Sequence, residues 1–132
     1  MPRPTWLTKL YGDECYSLGG LNVLTNIAST YDGTTAQKGL GLAEVDFTSV
    51  ASFDFVVFVN KVGTGTQSWQ LWNVTDAAQL AVIDDAGASG DKTLTATVSS
   101  GLPTGKKVVR VRAKSTVVTD DPVYYGGYLV VR

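Results

Sequence analysis

The residues able to do chemistry in this chain are few, and they exclude more than they offer. None of the 132 residues is a histidine, which removes Ser-His-Asp and Cys-His activation, imidazole acid–base catalysis and most zinc sites. The single cysteine, Cys15, has neither a second thiol nor a partner base beside it. Carboxylates come as the adjacent pairs Asp13-Glu14, Asp84-Asp85 and Asp120-Asp121. A glycosidase needs two carboxyls converging across a cleft. Neighbours within a turn-like loop are expected to splay into water, so these read as turn acids. The stretch "DDAGASGD" offers Asp84, Asp85 and Asp91 as oxygen ligands for Ca²⁺, but without the spacing of an EF-hand. "GTGTQ" at 63–67 lacks the Lys-Ser/Thr and following helix of a phosphate loop. No catalytic residue, metal site or cofactor is expected.

The remaining chemistry is that of contact. Trp69 and Trp72 stand three apart, so in a regular strand their rings point to opposite faces, one into a core and the other towards solvent, an arm or a neighbour. Leu71 shares the face of Trp69. Tyr124, Tyr125 and Tyr128 surround Gly126-Gly127, and strict alternation puts Tyr124 and Tyr128 on one face with Tyr125 opposite. Gly126 leaves a slot where a backbone or a ring can approach closely. Such aromatics either cover a strand glycine or form a patch for a sugar. In "KKVVRVRAK", Lys106, Arg110, Arg112 and Lys114 alternate with Val109, Val111 and Ala113, making a basic row suited to acidic partner loops or to a plain solvated face. The formal net charge of −1, with no aromatic interleaved in that row, argues against nucleic acid as a partner.

The elements that must position these residues are strands. Fourteen glycines and many Thr, Val and Ser residues favour an all-β domain, and the length suits one such domain with a real core. "LNVLTNIAST", "LGLAEVDF", "SFDFVVFVNKV", "TQSWQLWNVT", "QLAVI", "KTLTATVSS", "KKVVRVRAKS" and "YYGGYLVVR" give about eight strands. "SFDFVVFVNKV" is apolar on both sides and belongs at the centre of a sheet. "GTG" at 63–65 reads as a hairpin turn. The expected architecture is a two-sheet β-sandwich of jelly-roll type over residues 18–132, preceded by an extended N-terminal arm over 1–17. Trp6, Leu7, Leu10 and Tyr11 are the arm's apolar anchors. No run reaches the length of a membrane span, and the first residues lack the apolar core of a signal peptide, so no membrane partner is expected.

Three stretches carry a resemblance. Leu71, Asn73, Val74, Thr75 and Asp76 follow the "GTG" turn, Leu102, Pro103, Gly105 and Lys107 lead into the basic strand, and Leu129 to Arg132 close the chain. Together they resemble the jelly-roll module of tailed-phage structural proteins, most like a capsid decoration protein. The resemblance implies a non-enzymatic protein made in the host cytoplasm and bound to the outside of a virion. It also implies the major capsid protein as partner, homotrimers, and the arm as anchor, with Trp69, Trp72, Tyr124, Tyr128 and the basic row as further contacts. The alternative is a module that binds glycans through exposed aromatics.

Overall fold

The computed structural model describes residues 14–25, 27–31 and 39–132. The anchors Trp6, Leu7, Leu10 and Tyr11 lie outside these residues. Nine strands and no helix are present among them: β1 (Glu14–Ser17), β2 (Asn22–Val23), β3 (Gly41–Asp46), β4 (Phe53–Lys61), β5 (Gln67–Asn73), β6 (Ala78–Asp85), β7 (Gly90–Val98), β8 (Lys106–Ser115) and β9 (Val123–Val131). They form two antiparallel sheets. One runs β1-β9-β4-β7 with β2 also on β9, and the other runs β3-β8-β5-β6. This is the expected all-β jelly-roll sandwich.

Two local expectations change. The last four residues assigned to the arm are β1, paired with Ser17 opposite Tyr128 and Glu14 opposite Val131. "LNVLTNIAST" contributes only the two-residue β2, because Leu24 and Ile27 are buried as loop anchors and Ile27 N donates to the Asp121 carboxylate at 3.2 Å.

The core follows from alternation. Phe53, Phe55, Val57 and Val59 of β4 face inward, opposite Trp69 and Leu71 of β5 and Val109, Val111 and Ala113 of β8. β4 sits between β9 and β7, as its two apolar faces require. Trp69 stacks on Tyr124 with ring centres 5.8 Å apart, joining one sheet to the other. The Tyr124 hydroxyl donates to the Leu18 carbonyl at 2.5 Å, and burial pushes its pKa well up.

The Gly63–Gly65 stretch is not a hairpin, since β4 and β5 belong to different sheets. It is a corner between the layers. The Lys61 ammonium donates to Gly63 O at 2.9 Å, and Gly65 N donates to the Asp120 carboxylate at 2.9 Å. Gly63 has φ +80, and a Cβ there would meet Asp120 carboxylate atoms at 2.1 to 2.2 Å.

Two outcomes follow. Trp69→Ala should cost about 3–5 kcal/mol in denaturant unfolding, against much less for Trp72→Ala, whose ring is only half-buried; equal losses would contradict the placement. Gly63→Ala should cost more than about 1 kcal/mol, since a positive φ and a blocked Cβ act together. A melting temperature equal to wild type would show that the corner is held some other way.

Candidate functional site

The site is built by a register shift in β9. Val59 pairs with Tyr124 and Phe58 with Gly126, so Tyr125 is an extra residue bulged out of the ladder. Gly126 supports it with φ +141, a backbone state costly for any residue with a Cβ. The bulge also changes the parity of the strand. Tyr124 points into the core, Leu129 and Val131 do so after the bulge, and Tyr125 and Tyr128 both stand on the outer face. The expected pairing of Tyr124 with Tyr128 on one face is therefore corrected. A single inserted residue reverses every later side chain. The close approach foreseen at Gly126 is made by backbone, since a Cβ there would meet the Gly19 carbonyl at 2.9 Å.

On that outer face two rows cross the sheet. The first joins Thr93 to Phe58, which lie opposite one another, and the Phe58 ring meets that of Tyr128, the partner of Val56, diagonally at 5.7 Å. The second joins Asp91, Asn60 and Tyr125: Asn60 Nδ2 donates to Asp91 Oδ1 at 2.7 Å, and the Tyr125 hydroxyl donates to the same oxygen at 2.8 Å. Between the rows lies an open cavity of about 410 Å³ lined by Phe58, Val59, Asp91, Lys92, Thr93 and Tyr125. Phe58 is 38% and Tyr125 44% exposed. The hydrogen bond from Asn60, then that from Tyr125, holds the Asp91 carboxyl below the usual carboxylate range; the bond to Asp91 in turn raises the Tyr125 phenol. Lys92 contributes no charge to the opening, because its ammonium pairs with Asp85 at 3.0 Å.

The other sequence-derived candidates sit elsewhere. Trp69 and Tyr124 are fully buried and cannot touch a ligand. Trp72 faces outward from the other sheet, as its odd spacing from Trp69 requires, and the basic row of β8 shares that outer face. Here the Arg112 guanidinium lies 4.1 Å over the Trp72 ring and 5.3 Å from Tyr31, and donates to Gln70 Oε1 at 2.8 Å. Gln70 in turn donates to Gln79, and the Lys114 ammonium lies 4.8 Å over Tyr31. Arg110 is half-buried and Lys106 exposed on the same strand. These groups largely serve one another, and Ser68 and Gln70 beneath them are buried.

Among the described residues the paired acids make specific bonds, and of Asp84, Asp85, Asp120 and Asp121 only Asp84 is exposed. Asp84 accepts from Ser68 Oγ at 2.6 Å, Asp85 is buried against Lys92, and Asp120 and Asp121 accept backbone N–H groups. Asp84 and Asp91 end on outer faces of different sheets, and no group of three metal-ligating side chains occurs among the described residues. Asn73, in the "NVT" triplet, is fully buried and bonded to Asp76. Phe58 was not singled out in the sequence, and Tyr125 stood there only as a member of the tyrosine cluster around Gly126-Gly127. The signal for them was the apolar outer side of β4 together with a strand Gly-Gly.

No family model and no curated protein sequence matches the chain. Solved structures do. CBM35 from Cellvibrio japonicus Abf62 matches with a TM-score of 0.51 at 19% identity, over 90% of this chain and 96% of that one. The xylan-binding module CBM15 matches with a TM-score of 0.51 at 13% identity, over 91% and 97%. Eiger TNF from S. frugiperda matches with a TM-score of 0.53 at 11% identity, over 91% and 92%. At these identities the likeness is one of fold, and the chain shares a jelly-roll β-sandwich with carbohydrate-binding modules and with a TNF.

Proposed function

We propose that this domain is a non-catalytic carbohydrate-binding module whose sugar site is the slot between Phe58 and Tyr125. The observation that carries the reading is that two exposed rings, Phe58 and Tyr125, line one open cavity of about 410 Å³ beside the hydrogen-bonded Asp91 and Asn60. The apolar face of a pyranose can pack on either exposed ring while its hydroxyls reach the polar groups beside them. The cavity volume lies in the usual range for small-ligand sites, and its few polar groups converge at one end. The fold shared with two carbohydrate-binding modules supports the reading without assigning a ligand. Capsid decoration, expected from the phage resemblance, depends on anchors outside the described residues, and no feature of the described surface favours it.

Affinity electrophoresis in gels containing xylan, glucan or mannan tests the proposal. At least one polysaccharide should retard the protein. Each aromatic wall buries about 55 Å² of apolar surface against a ring, about 1.4 kcal/mol at ~25 cal/mol per Å², or tenfold in affinity. Phe58→Ala and Tyr125→Ala should therefore each weaken retardation about tenfold, while Trp72→Ala leaves it as it was. Retardation insensitive to both slot substitutions, or absent for every polysaccharide, would sink the proposal.

A further inference from the structure

The polar inventory of the slot narrows the ligand class. Asp91 Oδ1 is occupied by Asn60 and Tyr125, while Oδ2 accepts no hydrogen bond from the described residues. Asn60 has spent one amide hydrogen on Asp91 and keeps its carbonyl oxygen. The Thr93 hydroxyl can accept or donate. The slot is thus richer in acceptors than in donors, and of its two charged lining residues Asp91 is exposed while the Lys92 ammonium is paired with Asp85. Asp91 is exposed at the opening, and its lowered pKa keeps it ionised to acidic pH.

Among the described residues, the cations nearest this charge are committed elsewhere. Lys92 follows Asp91 directly, but its side chain turns to the opposite side of the sheet and pairs with Asp85 on β6. Arg132 pairs with Asp54 at 2.8 Å, four residues along β4 from Phe58. The basic row of β8 belongs to the outer face of the other sheet, across the full thickness of the sandwich.

From this we infer that the slot selects neutral, hydroxyl-rich sugars and rejects those carrying a carboxylate or sulfate. The inference rests on the carbohydrate-binding reading above and specifies its ligand. A sugar hydroxyl is a donor that Asp91, Asn60 and Thr93 can each accept, and a bond to an ionised acceptor is stronger than a neutral one. An acidic substituent would replace that donor by a second acceptor and place like charges within about 5 Å, a repulsion worth roughly tenfold in affinity in a partly exposed site.

The test is titration calorimetry of the full chain with cellohexaose and xylohexaose as neutral probes and trigalacturonate as the acidic one. Wild type should bind a neutral probe at least about tenfold more tightly than trigalacturonate, and the gap should narrow as salt screens the repulsion, from roughly 20 to 500 mM. Asp91→Asn keeps the shape and one acceptor oxygen while removing the charge. It should weaken the neutral probe several-fold, strengthen the acidic one, and so collapse the ratio. If trigalacturonate binds as tightly as the neutral probes, or if the ratio ignores both salt and Asp91→Asn, the inference is overturned while the binding proposal stands. If none of the probes binds and no polysaccharide retards the protein, the binding proposal falls and the inference with it.

Discussion

The contact between Trp69 and Tyr124 is what the rest of the molecule is arranged around. It joins β5 of one sheet to β9 of the other through two of the largest buried side chains. The Tyr124 hydroxyl then ties the loop at Leu18 to the same point. With Tyr124 held inward, the extra residue of the bulge has to leave the ladder on the far side, and Tyr125 is carried to the surface beside Phe58. The slot is therefore a consequence of core packing at the adjacent residue. Its walls stand on strands rather than on mobile loops, which is the arrangement that keeps a binding geometry in place.

One end of the sandwich is closed by polar groups instead of apolar ones. Lys61, Gln67, Asp85 and Ser115 are all buried there. Lys61 and Gln67 donate to the carbonyls of Gly63 and Val62, and Asp120 accepts from Gly65. A corner between sheets leaves backbone groups without ladder partners, and buried ones are costly unless satisfied. Asp120 and Asp121, adjacent acids that look like solvated turn residues, are recruited to meet that need.

The two outer faces differ in how far they have already satisfied themselves. On the four-stranded sheet, Gln79, Gln70, Arg112, Trp72, Tyr31 and Lys114 form a connected patch of amide, guanidinium and ring contacts. Charge and aromatic surface there are spent within the protein. On the five-stranded sheet, Asp91, Asn60 and Tyr125 form one short chain of bonds that leaves the cavity beside it open. Composition alone would rank the face with the tryptophan and the cations first. What separates the two is whether a neighbour is already in contact.

Period-two patterning determined the strands from β3 to β9, the central place of β4, the opposite faces of Trp69 and Trp72, and the outward basic row of β8. Those features depend on local alternation and on burying the more apolar side, both written in the residue order. The lack of histidine likewise disposed of whole classes of catalysis before any fold was known. Tertiary structure alone decided the β9 bulge, the corner at Gly63, the partners of the paired acids, and hence the slot. Each of these depends on what lies across the sheet or in the other layer, and a one-residue shift in register, invisible to alternation, reversed which tyrosines meet water.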